Sequence, residues 1–402
     1  MSGLLPVEEA LSRLLEGARP GPSEMVPLAE AAGRVLAEPV KALRTHPPFP
    51  GSAMDGYAVQ ARDVAHVPAQ LRIIGVAAAG KQFSGSVGQG EAVRILTGAP
   101  LPAGADTIAI QENVRKLENN RIEVLETVAA GRHIRRRGLD FEEGQDLLAK
   151  GHVLDPAALS LAASANHPSL PMVKKPLVAI IATGDELMPP GSVLGPDQII
   201  ASNIYGVTAI AMTAGARVLD LGIAPDRSEA ISAKVQHALD AKADVIVTLG
   251  GASVGDHDLV QGALTSLGMT LGFWKIAMRP GKPLMFGRLG NTRCIGLPGN
   301  PVASLVCSHL FLKPLLARLG GYSYEQPFVE SILGAPMTAN GRRQDYVRAS
   351  LERRDGGFVA TPFDIQDSSM LQIMAKAGGL IVREPHAPEA KVGDPCRVLL
   401  IR

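Results

Sequence analysis

The sequence predicts a multidomain α/β protein: a parallel-sheet domain joined to a helical domain, an inserted β-rich domain and a C-terminal β domain. Three observations predict it. Between 176 and 321, short runs that are apolar at successive positions alternate with helical stretches, the pattern of strands covered by helices on both faces. Between 46 and 141, short β-type runs separated by Gly and Pro take the place of that alternation. The length, 402 residues, accommodates about two to four domains of roughly 100–200 residues.

Taken in order, residues 4–16 carry Val7, Ala10, Leu11, Leu14 and Leu15 at helical spacing, with Pro6 suited to the start and Gly17 to the stop. A second helical pattern covers 27–37. The β-type runs 71–76, 92–96 and 107–111 follow, and then 114–117 and 122–128, which flank Asn119-Asn120 as a hairpin would. Asp155 followed by Pro156 reads as an N-cap with Pro at the first helical position, opening a helix through Ala163. Residues 1–45 and 142–175 are thus expected to form one discontinuous helical and linker domain, with 46–141 inserted into it. From 176 to 321 the expected strands are 177–182, 217–221, 245–249 and 294–297, and the expected helices 204–214, 228–239, 259–267 and 302–319. The C-terminal domain, 322–402, returns to β structure: 347–351 and 358–361 flank the turn Asp355-Gly356-Gly357, and 397–401 ends the chain as a strand.

Composition narrows the function. Forty Lys+Arg against 39 Asp+Glu leave a net charge of +1, which argues against a protein held to nucleic acid by phosphate neutralisation. Aromatic residues at 4% argue against base-stacking platforms. Three scattered cysteines (Cys294, Cys307, Cys396) with no CxxC form neither a disulfide framework nor a zinc site, as in a reduced cytoplasmic protein. No basic segment followed by an apolar core marks a signal peptide, and the run 177–182 is far short of the roughly 18 residues a membrane span needs. The expectation is a cytoplasmic protein without nucleic-acid or membrane partners. Arg135-Arg136-Arg137 is answered at once by Asp140, Glu142 and Glu143 and reads as a solvated linker.

Chemistry concentrates at the carboxyl ends of the expected parallel strands, where such sheets bind ligands. The first loop, Thr183-Gly184-Asp185-Glu186-Leu187, presents two carboxylates. The second runs from Gly250 and Gly251 through Ser253 and Gly255 to Asp258, and the third is Pro298-Gly299-Asn300-Pro301, leading into a helix. Glycines let backbone N–H groups approach an anion, and a helix N-terminus adds partial positive charge; together the loops suit a phosphate-type ligand. Between the second and third loops, Lys275, Arg279 and Lys282 surround a Pro-Gly-Lys-Pro turn able to clamp an oxyanion. Glu186, Asp226 and Asp258 fall on three loops of the same sheet edge, and hard oxygen ligands beside phosphates suit Mg²⁺. The stretch 251–255 also fits G-x-S-x-G, but none of the downstream histidines (His257, His309, His386) is placed to serve Ser253, which argues against a serine hydrolase.

Taken in order, these loops resemble the MoeA family of molybdopterin molybdenumtransferases, which includes the gephyrin E domain. The resemblance spans essentially the whole chain. It rests on Pro47-Pro48-Phe49-Pro50-Gly51-Ser52-Ala53-Met54-Asp55-Gly56-Tyr57-Ala58, Thr97-Gly98-Ala99-Pro100, the three loops, the basic turn from Arg279 to Pro283, and Ser368-Ser369. It implies a molybdopterin-binding α/β domain, a homodimer, and insertion of molybdenum from molybdate into adenylylated molybdopterin with divalent metal and release of AMP. By matching motif, Glu186, Asp226 and Asp258 correspond to carboxylates on the metal and adenylyl side. Lys275, Arg279 and Lys282 correspond to the basic cluster, and Asp55, Thr97 and Asp140 to functional positions of the inserted domain and its exit. Thr183, Gly184, Asp185, Ser202, Asn203, Gly250, Gly251, Ser253, Gly255 and the Pro298–Pro301 loop are the implied substrate-binding positions. Molybdate is implied beside Arg279, Lys282, Arg348 and Ser369, with Ser304 next to Ala303, which replaces a serine common in relatives; Arg279 replaces a common lysine. Implied protein partners are the pathway's adenylyltransferase and downstream molybdoenzyme-maturation proteins. A molybdopterin adenylyltransferase and a non-catalytic scaffold of the same fold are the alternatives.

Overall fold

The computed structural model describes residues 4–250, 259–354 and 356–402, which fall into two compact units. One comprises the chain up to Glu24 together with Val173–Arg402, and the other Met25–Met172.

The first unit is built on a six-stranded sheet. Its strands are β1 (Leu177–Thr183), β2 (Arg217–Ala224), β3 (Val245–Leu249), β4 (Thr270–Lys275), β5 (Pro283–Leu289) and β6 (Thr292–Leu297), in the order β2-β1-β3-β6-β5-β4. β2, β1, β3 and β6 run parallel, whereas β5 runs antiparallel between β6 and β4, so the sheet is mixed rather than purely parallel as expected. The reason is local. Only two residues separate β5 from β6, with Gly290 at φ +57°, and so short a link makes a hairpin, never a parallel crossover. Both faces of the sheet are covered. Val178, Ile180 and Ala182 of β1 join a core with Val7, Ala10 and Leu14 of the first helix and with the helices Asn203–Thr213 and 301–319. Ala179 and Ile181, between them in sequence, face a second core completed by the helices Ser228–Asp240 and Leu259–Ser266. Alternate residues of one strand thus feed two cores, which is why the strand is apolar throughout.

The helix from Pro301 to Leu319 is the one helix among the described residues long and apolar enough to cross a membrane, and 78% of its most apolar window is buried inside the fold. It opens into a π turn at Ser308–Leu312, two residues before Pro314. Pro314 supplies no backbone donor and its ring would press on the carbonyl four residues back; the wider turn accommodates both. After Gly321 the strands Phe328–Leu333, Gln344–Arg354, Gly357–Pro362, Gly379–Arg383 and Pro395–Leu400 form five strands of a second six-stranded sheet, whose sixth is Met278–Arg279, paired parallel to Gln344 and Asp345. Tyr346, Leu380, Val382 and Leu399 of that sheet share the larger core of the α/β domain.

The second unit holds another six-stranded sheet, assembled from Gly56–Val59, Ala69–Ala77, Glu91–Ile95, Thr107–Ile110, Val114–Lys116 and Arg121–Val124. The Asn119-Asn120 hairpin is present, with φ of 54° and 55° at the two asparagines, the left-handed pair such a turn requires. The helix Pro156–Ser164 is capped by Asp155, whose Oδ1 accepts from the Ala158 N–H at 2.7 Å, a contact worth about 1 kcal/mol.

Two sequence expectations are corrected here. The segment 27–37 is not a helix: a single 3₁₀ turn, Leu28–Glu30, is followed by Gly33 at φ +69°, and Val35 and Leu36 bridge to Val153 and Met172 as extended chain. The helix Val7–Leu15 packs with the α/β unit rather than with 142–175, because Leu5 pairs with Ile276 beside the sheet and Val7, Ala10 and Leu14 enter its core.

Candidate functional site

β1, β2, β3 and β6 are parallel, β5 runs against β6, and β4 runs against β5 and so points the same way as the first four. The carboxyl ends of the first four strands, the start of β5 and the end of β4 therefore lie along one sheet edge. Read across in strand order, that edge carries Asp226, then Gly184 to Glu186, then Gly250, then Pro298 to Pro301, then Lys282, then Lys275. Because β1 lies between β2 and β3, the chain reverses its direction of winding there, which makes the crevice beside β1 and β3 the expected ligand site of an open α/β sheet.

The acidic flank is stitched at the backbone: the Asp226 N–H donates to Asp185 Oδ1 at 3.1 Å. Asp226 has a carboxyl pKa raised above the ordinary value by partial burial and by the negative charges of Asp185 and Glu186. Gly250 follows β3 at φ +91°, and a Cβ there would stand 2.8 Å from the Thr183 carbonyl oxygen, so only glycine lets the ends of β1 and β3 meet. Gly299 lies beside it, and a Cβ on it would make ordinary contact with Gly250 Cα at 3.6 Å. The Asn203 side chain donates to the Gly299 carbonyl at 2.7 Å and so holds the third loop against the helix that follows Ser202.

The C-terminal domain closes on the same edge. Asn300 donates to the Ser368 hydroxyl at 2.9 Å, and the Val302 N–H donates to the Ser368 carbonyl at 3.0 Å. Asp367 accepts from the backbone and hydroxyl of Ser369, which hold its carboxyl below the ordinary pKa. Arg279 forms a two-point ion pair with Asp345, whose side chain is only 6% exposed. Lys282 follows Gly281, which sits at φ +109° with room for no side chain, a Cβ there meeting Cys307 Sγ at 2.5 Å. Lys275 lies with its ammonium 5.5 Å from the ring centroid of Trp274.

Among the expected site residues, the structure therefore gathers Thr183, Gly184, Asp185, Glu186, Asp226, Asn203, Gly250, Pro298, Gly299, Asn300, Pro301, Lys275, Arg279, Lys282 and Ser369 around one edge of one unit. Gly251, Ser253, Gly255 and Asp258 lie outside the described residues. Three residues stand differently from expectation, the first being Arg279, whose guanidinium is taken up by Asp345. Arg348 is 1% exposed, and its guanidinium donates to Gln366 Oε1 at 3.1 Å and to the Asp367 carbonyl at 2.6 Å, so it grips the loop that carries Ser368 and Ser369. Ser304 is fully buried, and its hydroxyl has no hydrogen-bond partner among the described residues. In the other unit, Asp55 and Thr97 form a pair: the Thr97 backbone and hydroxyl both donate to Asp55 Oδ1 at 2.7 Å and hold its pKa below the ordinary value. Asp140 is exposed, and no hydrogen bond or ion pair joins it to that pair among the described residues.

Sequence reasoning missed Asp345, Gln366 and the turn Asn340-Gly341-Arg342-Arg343. The last carried a readable signal, an Asn-Gly turn leading into two cations; Asp345 and Gln366 carried none, because their partners are distant in sequence.

An α/β chain with a ligand crevice at a strand-order reversal, closed by a C-terminal β domain, defines a class of nucleotide- or phosphate-handling protein. The comparisons make that class specific. Residues 5–166 match the MoeA N-terminal region (domain I and II), 179–318 a probable molybdopterin binding domain, and 330–401 the MoeA C-terminal region (domain IV). A molybdopterin molybdenumtransferase of Bacillus subtilis is 34% identical, covering 99% of this chain and 94% of that one, and one of Haemophilus influenzae is 34% identical over 97% of each. One from a Nostoc species is 37% identical over 83% of this chain and 78% of its own. The crystal structure of a molybdopterin biosynthesis MoeA protein from Pyrococcus horikosii superimposes with a TM-score of 0.85 at 29% identity, covering both chains fully. The chain belongs to the MoeA family of molybdopterin molybdenumtransferases.

Proposed function

We propose that this chain inserts molybdenum from molybdate into adenylylated molybdopterin, with release of AMP, as a step of molybdenum cofactor biosynthesis. The observation that carries the reading is the ordered sheet edge: carboxylates at one flank, glycine-bearing loops at its centre and cations at the other, within a chain matched almost end to end by the family's three domains.

The chemistry follows that order. Cleaving a phosphoanhydride is mainly positioning and stabilisation of charge, and the close-packed glycine loops at Gly250 and Gly299 and the partial positive charge at the start of the helix from Pro301 suit both. Molybdate, a tetrahedral dianion, calls for charged donors, and Lys282 and Lys275 stand at the flank of the edge away from the carboxylates. Arg348 acts on that flank by holding the Ser368-Ser369 loop in place. Mg²⁺ fits the acidic flank by charge: burial raises the Asp226 pKa most, the negative charges of Asp185 and Glu186 add to it, and that repulsion is what a cation relieves. Among the described residues no group of three His, Cys, Asp or Glu side chains is arranged to hold a metal. Glu186 and Asp226 would hold the ion together with Asp258, and it would supply charge neutralisation for the departing phosphate. The resemblance supports a homodimer as the working form and the pathway's adenylyltransferase as supplier of substrate. The three cysteines, all free thiols, suit a cytoplasmic setting.

The test is AMP release from adenylylated molybdopterin with and without molybdate and Mg²⁺. Stimulation by molybdate is expected; release indifferent to molybdate overturns the proposal.

A further inference from the structure

The loop 363–370 runs from the strand Gly357–Pro362 to the helix Leu371–Lys376, and none of its residues is buried. With no buried side chain of its own, it is placed by its hydrogen bonds. On the side of the C-terminal sheet Gln366 makes most of these. Its Oε1 accepts from the Arg348 backbone N–H at 3.0 Å and from Arg348 Nε at 3.1 Å. Its Nε2 donates to the Arg348 carbonyl at 3.0 Å and to the Phe363 carbonyl at 2.8 Å. A glutamine amide offers two donors and two acceptor sites, so all four are engaged. Arg348 is 1% exposed on the strand Gln344–Arg354, which anchors this bracket in a buried part of the fold.

An exposed glutamine is ordinarily hydrated and free to turn, and ordering one costs side-chain entropy with little apolar burial to offset it. What the order of Gln366 secures lies at the far side of the loop. There the Ser368 hydroxyl accepts from Asn300 at 2.9 Å, and the Ser368 carbonyl accepts the Val302 N–H at 3.0 Å. Pro301 has no N–H, so that of Val302 is the first the long helix offers, and the loop caps it. The loop is thus a bridge with one footing on Arg348 and the other on the Pro298–Pro301 loop. Two further bonds tie it to Arg348, from the Phe363 N–H to the Arg348 carbonyl at 3.0 Å and from Arg348 Nη1 to the Asp367 carbonyl at 2.6 Å. The chain can pivot about single bonds of this kind. By engaging Nε, Gln366 also fixes the plane of the guanidinium whose Nη1 holds Asp367, and so gives the span its direction.

We propose that Gln366 is a positioning residue for the reaction: by bracketing Arg348 it sets the Ser368-Ser369 loop and, through Ser368, the Pro298–Pro301 loop of the functional edge. The inference deepens the functional reading above and rests on it for the reaction that the edge serves.

In the whole chain carrying Gln366→Ala, water reaches the freed Arg348 donors and satisfies them, but it cannot hold the loop in place. The expected result is a wild-type melting temperature, a fall of about tenfold in kcat/KM for molybdate-stimulated AMP release, and amide exchange about tenfold faster at Val302. Exchange in the strand Gln344–Arg354 stays as in the wild type. Gln366→Glu keeps both accepted bonds and loses the two donated ones, so it recovers part of the kinetic loss and leaves a deficit of about threefold. Wild-type kcat/KM in Gln366→Ala overturns the proposal, and so does a kinetic loss with Val302 exchange unchanged, since the effect then bypasses Ser368. A lowered melting temperature with wild-type kcat/KM measured well below it makes the residue structural only, which also overturns the proposal. Should Gln366→Ala not fold, Gln366→Glu gives the same reading through its smaller deficit and faster Val302 exchange. Absence of molybdate-stimulated AMP release in the wild type would refute the functional reading, whereas faster Val302 exchange in the variant would still show the bridge; unchanged exchange beside intact wild-type activity would refute the bridge alone.

Discussion

Arg279 and Lys282 lie three residues apart on one turn, yet they stand in opposite electrostatic circumstances. Arg279 is spoken for by Asp345, whereas Lys282 has no partner among the described residues. Removing them separates stability from binding. Arg279→Ala leaves the nearly buried Asp345 carboxylate unpaired and costs about 1–3 kcal/mol in denaturant unfolding. Lys282→Ala leaves the melting temperature unchanged and raises the molybdate KM severalfold, with the defect shrinking at saturating molybdate when the lysine acts in ground-state binding. The Asp55–Thr97 pair permits a sharper test by carboxyl NMR. Thr97→Val removes the hydroxyl donor and keeps the backbone one, so the Asp55 pKa rises part of the way towards its ordinary value; no movement would show that the backbone bond alone sets it.

At the scale of elements, Asn300 links the helix from Pro301 to the loop of the C-terminal domain. Asn300→Ala deletes the bond to Ser368, and increased amide exchange confined to the loop around 366–370 is the expected result. What the sequence made legible and what it hid divides along this line. Strands buried on both faces announce themselves as unbroken apolar runs, and the loops at their ends follow directly; both were readable. The segment 27–37 was misread because Leu28, Val35 and Leu36 repeat at nearly helical intervals, while the extended bridges to Val153 and Met172 that decide its conformation are tertiary. The reversal at β5 is legible only in the two-residue link between β5 and β6, which is a hairpin signal. Nothing local could reveal that Arg348 faces inward to Gln366 and Asp367, since in sequence it looks like any other exposed cation of a β strand.

For the α/β unit as a whole, the shared core predicts shared unfolding. Leu380 of the C-terminal sheet is fully buried in the cluster that also holds Phe311 of the long helix. Leu380→Ala should therefore cost about 2–5 kcal/mol and lower the melting of the α/β domain along with its own sheet, as hydrogen exchange in β1 and β3 would report. Acid sensitivity follows from His309, whose pKa is pushed down to about 4 by burial and by the charge of Lys313. A histidine kept neutral in the fold but free to protonate when unfolded makes the unfolded state bind more protons, so stability falls as the pH drops from about 6.5 to about 4. His309→Gln should flatten that part of the stability profile.

The sole tryptophan, Trp274, lies one residue before the end of the strand that leads into the basic turn, with the Lys275 ammonium over its ring and its buried indole N–H without a partner among the described residues. Its fluorescence is consequently a built-in, label-free gauge of that flank. An anion that draws Lys275 away from the ring will alter the emission, and no second indole exists to dilute the signal.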